Sequence, residues 1–377
     1  MKITIATGLY PPEIGGPATY AAMLETELPA RGIEVTTIPF GWVRHYPKVI
    51  RHVVYAWKLW QASRRADIIY ALDPISVGLP AVLVSRLTRK PFLIRLGGDY
   101  AWEQGRMRFG LNNTLDEYLE NRASSPLPVK AFAWIQTFVV SKARRIIVPS
   151  EYLKSVVMKW GIPEGKIQVI YSALYPLSAP ASRDSLRAEL SYTQPTIVSA
   201  ARLVPWKGFD VLIDVVAKLK EHYPNISLVI IGDGEERARL QGQVAELRLT
   251  QNVRFMGSLS KDALGAAIKA ADVFVLNTAY EGLSHQLIEV MDIGTPIVTT
   301  RAGGNPELIA DGVNGFLVEF NNVEQLSEAI TRVFNHPESR ERMVQSARGR
   351  SKQFTKEVVV HDIELVLKEL HGKAKAT

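Results

Sequence analysis

Two glutamates lie eight residues apart in the segment Tyr280–Met291, with Glu281 on a predicted loop and Glu289 in the helix predicted to follow it. Carboxylates accept paired hydrogen bonds from neighbouring hydroxyls, so Glu281 could hold a sugar and Glu289 a ribose diol. Ser284 is placed to cap the helix, which leaves the amides of Ser284 and His285 free to face a phosphate or a sugar hydroxyl. The alternative is a pair of surface glutamates at this spacing by chance.

Two cations, Arg202 and Lys207, flank a proline-containing loop between a predicted buried strand and a predicted helix. Positive side chains at the carboxyl end of a strand suit a diphosphate whose negative charge grows as it departs. The alternative is two solvated surface cations.

A glycine pair, Gly15 and Gly16, follows the first predicted strand and opens the helix predicted for Ala18–Ala30. Glycines let backbone N–H groups come close to a phosphate at the positive end of a helix. Paired glycines between a strand and a helix are more often only a tight turn, so this motif alone is weak.

Short apolar, β-branched runs alternate with amphipathic stretches through both halves of the chain, a pattern typical of parallel sheets with helical crossovers. The predicted strands are Ile3–Ala6, Glu34–Phe40, Asp67–Leu72, Phe92–Leu96, Arg145–Val148 and Gln168–Tyr171, then Thr196–Ala200, Ser227–Ile231, Val253–Met256, Asp272–Leu276, Pro296–Thr299 and Gly315–Val318. This pattern predicts two doubly wound α/β halves.

A proline-containing segment with almost no charge, Tyr171–Ser182, is the predicted linker between the halves. We therefore expect an N-terminal acceptor-binding domain at 1–175, a C-terminal donor-binding domain at 176–350, and a C-terminal helix at 351–377 that packs back on the first domain. Ligands of open α/β sheets bind at the carboxyl ends of strands, which predicts a site between the domains. The main irregular stretch is predicted at Gly97–Val129, with one short helix near Leu115–Glu120.

The composition excludes several classes of protein. The 377 residues include no cysteine, so disulfide and thiolate chemistry are absent. The sequence contains no Asp-x-Asp motif, and no cluster of histidines and carboxylates has the spacing of metal ligands. The first strand is too short for a signal-peptide core, and the longest uncharged runs are too short or interrupted to span a bilayer. We therefore expect a cytoplasmic protein that binds no metal and, for want of a supporting motif, no nucleic acid.

The individual motifs combine into a set that resembles the retaining glycosyltransferases of family 4, which have the GT-B fold of two Rossmann-like domains facing across a cleft. The set comprises Glu281 with Glu289, Gly294-Thr-Pro-Ile-Val, Ala302-Gly-Gly-Asn-Pro-Glu-Leu-Ile, Asp311-Gly-Val-Asn-Gly-Phe-Leu-Val, Gly232-Asp-Gly-Glu, the turn Phe255-Met-Gly-Ser, the Gly15-Gly16 loop, and Arg202 with Lys207.

The resemblance implies a role for each of these residues. It places Arg202 and Lys207 on the donor's diphosphate, Glu281 on the transferred sugar and Glu289 on the ribose, with Gly15 and Gly16 facing the phosphates from the other domain. Gly232, and Gly257 in the turn near the nucleobase, would also contact the donor, as would Ser284 and His285. Asp99 would be catalytic, although many relatives carry a histidine before this aspartate and this chain has Gly98.

The implied activity is transfer of a sugar, with retention of configuration, from a UDP- or GDP-sugar to a glycan or lipid-linked acceptor. The nucleotide-sugar is then a substrate, and no cofactor or metal is expected. Two alternatives stay open: a nucleotide-sugar epimerase on the same plan, and a sugar-nucleotide-binding protein without turnover. This chain also has Ser284-His-Gln where Gly-x-Pro is common in the family.

The net charge of +7 is unevenly placed, since residues 1–175 carry 22 Lys+Arg against 13 Asp+Glu and six of the seven tryptophans. Val53, Trp57 and Trp60 fall near one face of a predicted helix, and Arg51, Lys58 and Arg65 are available to anionic headgroups. This predicts peripheral binding to the anionic inner face of the cell membrane. The alternative is a core helix whose tryptophans pack on the sheet.

Overall fold

The computed structural model describes residues 1–13, 15–192 and 195–375, and only the backbone of Lys48, Ala374 and Lys375. The chain divides into two compact units, Met1–Ser172 with Lys356–Thr377, and Ala173–Thr355. Each unit has a six-stranded parallel sheet with helices around it. The predicted GT-B fold class, with two Rossmann-like doubly wound domains, is confirmed.

The first unit has the sheet order β2-β1-β3-β4-β5-β6. Its strands are β1 (Lys2–Thr7), β2 (Glu34–Pro39), β3 (Ile68–Ala71), β4 (Phe92–Arg95), β5 (Arg145–Val148) and β6 (Ile167–Val169), and its helices up to the linker are α1 (Gly16–Glu27), α2 (Lys48–Ser63), α3 (Gly78–Thr88), α4 (Tyr100–Arg108), α5 (Leu115–Glu120), α6 (Leu127–Ser141) and α7 (Glu151–Lys159). Strand β1 pairs with β2 on one side and β3 on the other, so Ile3 lies opposite Val35 and Ile68.

The second unit repeats the plan with the order β12-β11-β10-β7-β8-β9. Its strands are β7 (Thr196–Ala200), β8 (Ser227–Ile231), β9 (Val253–Gly257), β10 (Val273–Leu276), β11 (Ile297–Thr300) and β12 (Phe316–Val318), and its helices are α8 (Arg183–Glu189), α9 (Phe209–Leu219), α10 (Arg237–Glu246), α11 (Lys261–Ala270), α12 (His285–Ile293), α13 (Asn305–Leu308), α14 (Val323–Asn335) and α15 (Pro337–Ser351).

The central strands are apolar because helices cover both faces of each sheet. All the residues of β3, β4, β8, β10 and β11 are buried. The twelve predicted strands are all present, with bounds that differ by at most two residues from the prediction. The hydrophobic runs were therefore sufficient to locate the sheets.

The stretch Gly97–Val129 is more regular than predicted. The short helix α5 has the predicted bounds and begins with a capping box, in which Thr114 and Glu117 exchange hydrogen bonds. A second helix, α4, was missed because its glycine content lowers its intrinsic helix propensity. Packing of α4 against α6 stabilises it in the folded protein.

The last helix, α16 (Lys356–Lys375), belongs to the first unit. Ion pairs attach it along its length: Lys356 to Glu27 at 3.2 Å, Glu364 to Arg31 at 2.8 Å and Glu369 to Arg145 at 2.6 Å. The unit boundary falls at Ser172 and Ala173, and α15 lies wholly in the second unit. Within the described residues, no helix combines the length and hydropathy that a bilayer crossing requires.

Candidate functional site

The loops at the carboxyl ends of β7 and β10 are joined directly in the second unit. Trp206 lies in a 3₁₀ turn after β7, and its carbonyl oxygen accepts from the Ala279 N–H at 2.9 Å and from the Thr278 hydroxyl at 3.3 Å. Parallel strands bring these loops to one edge of the sheet, the usual ligand-binding edge of such folds. The connection brings together Lys207, which follows Trp206, and Glu281, which lies two residues after Ala279.

Lys207 and Glu281 form an ion pair through Nζ and Oε1, and both side chains are largely buried. The ion pair joins two of the predicted site residues directly. An ammonium group carries three N–H donors, so Lys207 can bind Glu281 and still donate to an anion. The carboxylate of Glu281 keeps acceptor capacity for a hydroxyl in the same way.

Two glycines after β11 hold the backbone of Glu281. The Gly304 N–H donates to the Glu281 carbonyl oxygen at 2.9 Å. Gly303 has φ +55°, and a Cβ at this position would lie 1.8 Å from the same oxygen, so no other residue fits without displacing the loop. The Ala302-Gly-Gly-Asn motif therefore supports the loop that carries Glu281.

The carboxyl ends of β7, β8 and β9 also meet through glycines. The Gly232 N–H donates to the Gly257 carbonyl oxygen at 2.8 Å, and a Cβ on Gly232, which has φ +130°, would lie 2.0 Å from the Ala201 carbonyl oxygen. This close backbone approach leaves Arg202, the next residue, exposed at the end of β7. Arg202 has no carboxylate partner in the described residues, and its guanidinium is therefore available to an anion.

The beginning of α12 carries two more predicted donor contacts. Ser284 is the N-cap of the helix, and its hydroxyl accepts from the Leu287 N–H at 3.3 Å, as predicted from its residue type. His285 is the first helical residue. The positive end of the α12 dipole therefore lies immediately after the loop that carries Glu281.

Glu289 lies in the middle of α12 and is partly buried. Burial raises the pKa of Glu289 to about 7, and Lys261 opposes the rise. Within the described residues, its carboxyl makes no hydrogen bond. A carboxyl that ionises near neutrality in a partly dry position is a candidate for binding a ligand hydroxyl.

In the first unit, Gly15 and Gly16 lie at the start of α1, where Gly15 is the N-cap with φ 151°. The Gly15 carbonyl oxygen accepts from the Ala18 and Thr19 N–H groups. The preceding residue, Ile14, lies outside the described residues. No contact connects this glycine pair with another predicted site residue in the part of the chain that is described.

Asp99, the predicted catalytic aspartate, is the N-cap of α4 and is completely buried. Its Oδ1 accepts from the Trp102 N–H and from the Gln136 side-chain amide, both at 3.0 Å. Burial raises the pKa of Asp99, an effect that these hydrogen bonds oppose. In this position the carboxyl stabilises the start of α4 and does not face solvent.

Sequence reasoning missed two polar residues at the carboxyl ends of the first sheet. Asp73, after β3, accepts backbone N–H groups from Ile75 and Ser76 on Oδ1, and burial raises its pKa. Arg95, at the end of β4, is buried over the Tyr20 ring at 4.0 Å and donates to the Ser172 hydroxyl. The available signal was a charged residue directly after a buried strand, but each such residue alone is common.

Among the described residues, no group of three or more histidines and carboxylates is arranged to hold a metal ion. The positive charges at the carboxyl end of the second sheet are the side chains of Arg202 and Lys207.

Two family models match the chain in succession. The model described as Glycosyltransferase Family 4 matches residues 14–174, and the model described as Glycosyl transferases group 1 matches residues 182–350.

Known proteins with similar sequences carry glycosyltransferase names. An uncharacterized glycosyltransferase of Methanocaldococcus jannaschii is 27% identical over 92% of this chain and 93% of its own length. The lipopolysaccharide core biosynthesis glycosyltransferase LpsE of Rhizobium meliloti is 32% identical over 47% of this chain and 50% of its own length. Crystal structures of Anabaena HepE match in fold: the complex with UDP has a TM-score of 0.78 at 20% identity, with 98% of this chain and 100% of HepE covered.

Proposed function

The chain belongs to the glycosyltransferases that join a family 4 first half to a group 1 second half, and on this premise we propose that it transfers a sugar from a nucleotide-sugar to a glycan or lipid-linked acceptor. The observation that carries the proposal is the Lys207–Glu281 pair, held by glycine backbone at the edge of the second sheet. HepE has been crystallised with UDP and with UDP-glucose, and LpsE is named for lipopolysaccharide core biosynthesis. These names support a nucleotide-sugar donor and a glycolipid-type acceptor.

Each residue of the second unit has a place in this reaction. Arg202 and Lys207 would bind the diphosphate and stabilise its growing charge as it leaves. Glu281, fixed beside Lys207, would accept hydrogen bonds from the transferred sugar. Glu289 would accept from the ribose hydroxyls, and the start of α12 at Ser284 and His285 would face a phosphate or sugar oxygen.

In the first unit, Gly15 and Gly16 would approach the donor's phosphates with their N–H groups. Asp99 would act as a positioning residue, because its buried carboxyl holds the start of α4. Asp73 would be a candidate contact for the acceptor, because it lies partly buried after β3, whereas Arg95 is buried over the Tyr20 ring.

The reaction would retain the donor's anomeric configuration. The bond between the sugar's anomeric carbon and the diphosphate breaks, and the acceptor oxygen bonds to the same carbon on the same face. The acceptor's proton passes to the departing diphosphate, so no separate protein base is required. NMR of the first-formed glycoside tests this step, and an inverted product would exclude it.

The proposal includes no metal or cofactor, because arginine and lysine side chains would meet the diphosphate charge. Activity measured with excess EDTA should therefore equal activity without it. A strict requirement for Mg²⁺ or Mn²⁺ would contradict this part of the proposal.

The primary experiment incubates the protein with UDP- and GDP-sugars, with and without glycolipid acceptors, and follows the nucleotide products. Acceptor-dependent release of nucleoside diphosphate would support the transferase. A sugar epimer without release would indicate an epimerase. Binding without either product would indicate a sugar-nucleotide-binding protein, the reading suggested by Gly98 before Asp99.

A further inference from the structure

Three helices of the first unit form a layer with an apolar outer face. The connections through α2, α3 and α6 all run in the same direction along the sheet, so right-handed crossovers place these helices on one face. α3 packs against both α2 and α6. Large apolar side chains on their outer surfaces are more than half exposed, including Val53, Trp57, Leu83, Leu87, Leu127 and Trp134.

This exposure is not a shortage of core packing, because α2 also has a buried face that includes Tyr55 and Leu59. On the outer side, Trp57 and Leu83 line a groove of about 210 Å³ between α2 and α3. Several large apolar side chains exposed on neighbouring helices are typical of an interaction site. We call the outer surface of α2, α3 and α6 the apolar layer.

The helices of the apolar layer carry charge of one sign. Together, α2, α3 and α6 contain five Lys+Arg and no Asp or Glu. The residues that flank these helices add further cations, two of which are paired, Arg44 with Glu13 and Arg145 with Glu369. Several of these cations lie beside aromatic rings: Lys58 Nζ is 5.9 Å from the centre of the Trp42 ring, and the Arg64 guanidinium is 5.3 Å from that of Trp60. Aromatic rings next to cations are typical of surfaces that lie at the membrane–water boundary.

A basic cavity of about 240 Å³ lies where α3 and α6 end, next to the first residues of β4. Its lining includes Arg89, Lys90, Lys142 and Arg144. None of these four has a carboxylate partner among the described residues. Lys142 Nζ is also 5.3 Å from the Phe138 ring, on which Trp134 stacks at 5.6 Å, so the cavity adjoins the apolar layer.

We propose that the apolar layer docks on an anionic phospholipid bilayer, with the basic cavity binding a lipid headgroup phosphate. The tryptophan and leucine side chains enter the boundary between headgroups and acyl chains, while the cations remain among the phosphates. An anionic bilayer offers negative charge along its whole surface, which matches a layer without a single acidic residue. The proposal stands on the first unit alone and does not depend on the donor, the sugar or the acceptor.

The test is co-sedimentation with vesicles of phosphatidylglycerol and phosphatidylcholine, compared with vesicles of phosphatidylcholine alone. The wild-type protein should bind the anionic vesicles at least tenfold more tightly, and binding should weaken as salt rises. Arg89→Glu/Lys142→Glu should lose at least tenfold in affinity for the anionic vesicles. Arg342→Glu/Lys352→Glu makes the same change in net charge at exposed positions of the second unit, and it should bind like the wild type.

The apolar contribution is tested with Trp57→Ser/Leu83→Ser, whose positions are exposed and whose circular dichroism should match the wild type. Brominated lipid should quench tryptophan fluorescence of the wild type and quench this variant less. Failure to bind anionic vesicles at low salt would overturn the proposal, as would equal loss in the control variant. A wild-type dimer that Trp57→Ser/Leu83→Ser makes monomeric, with vesicle binding unchanged, would assign the layer to a second copy instead. Neither experiment measures transferase activity. A protein without transferase activity would therefore contradict the proposed function but not the membrane proposal.

Discussion

The two units have the same sheet plan, but they differ in how closely backbone groups approach at the carboxyl ends of the strands. In the second unit, a Cβ would lie 2.0 Å from a backbone oxygen at Gly232 and 1.8 Å from one at Gly303. In the first unit, the corresponding distance at Gly78 is 2.7 Å, and the predicted catalytic region depends on side-chain pairs such as Asp99–Gln136 and Arg95–Ser172. A contact between backbone groups holds a loop whatever the neighbouring side chains are. A connection between two side chains is lost when either residue is replaced.

This difference explains why the second unit has recognisable motifs and the first has few. A glycine required by sterics is visible in the sequence as a glycine at a set position. A buried Gln136 that binds Asp99 looks like any helical glutamine. The second unit is accordingly the one whose donor-binding role can be tested residue by residue, and the following experiments are ordered by the size of the effect expected.

The largest effect is expected from breaking the ion pair at the second sheet. Glu281→Ala and Lys207→Ala should each lower kcat by about a hundredfold or more, because each removes a contact to the moving sugar or to developing charge. Lys218→Ala is the control, since it breaks an exposed ion pair with Glu324 in the same unit. Steady-state kinetics measure the effect, and near-normal rates in both site variants would refute the site.

The close backbone approach is tested by Gly303→Ala against Gly312→Ala. Both glycines have positive φ, but a Cβ on Gly303 meets the Glu281 carbonyl oxygen at 1.8 Å, whereas a Cβ on Gly312 meets nothing within 4 Å. The strain of positive φ is common to both, so Gly303→Ala should be less stable by a further ~2 kcal/mol. Urea denaturation measures the difference. Equal urea midpoints for the two variants would mean that the loop carrying Glu281 shifts to make room for the added Cβ.

A tenfold effect is expected from the titration of Glu289. Its pKa of about 7 lies above the ordinary value, so the carboxyl is protonated at pH 6 and ionised at pH 8. If the ionised form accepts the ribose hydroxyls, UDP-glucose should bind about tenfold more tightly at pH 8 than at pH 6. Calorimetry with Glu289→Gln as the control should give a flat profile for the variant. A slope that survives in the variant would assign the titration to another group.

The free energy of unfolding should depend on the same titration, but it should fall as pH rises, whereas UDP-glucose binding should strengthen. Because the folded-state pKa of Glu289 exceeds its unfolded value, folding favours the protonated form. This contribution is complete below the unfolded-state pKa and is lost as pH rises through about 7.

The smallest effect is expected in the first unit at Asp99. Asparagine is also a good N-cap and can accept from the Trp102 N–H, so Asp99→Asn should change kcat by less than about threefold. Asp99→Ala removes the cap and should lower stability by about 1 kcal/mol. A large loss of kcat in Asp99→Asn, with stability intact, would instead give this carboxyl a direct part in the chemistry.

The sequence was sufficient for the fold because the strands are continuous apolar runs, and Ser284 could be placed as an N-cap from its residue type. It also placed Lys207 and Glu281 on loops, but it did not show that these loops are neighbours. Their ion pair depends on the pairing of β7 with β10 and on the contacts of the Trp206 carbonyl oxygen, which no motif records. The raised pKa of Glu289 depends on burial by residues distant in sequence. Helix α4 was missed because its stability comes from packing on α6 and not from its own composition.

The return of α16 to the first unit has a consequence for biosynthesis. The second unit is inserted between Ser172 and Lys356, and the Leu174 N–H donates to the Phe354 carbonyl oxygen at 2.6 Å, so its two ends lie side by side. During translation, all of the second unit leaves the ribosome before α16 does, and domains generally fold as units as they emerge. The first unit therefore begins to fold before the second unit and completes its fold after it. The surface that α16 will cover stays exposed while the second unit is synthesised.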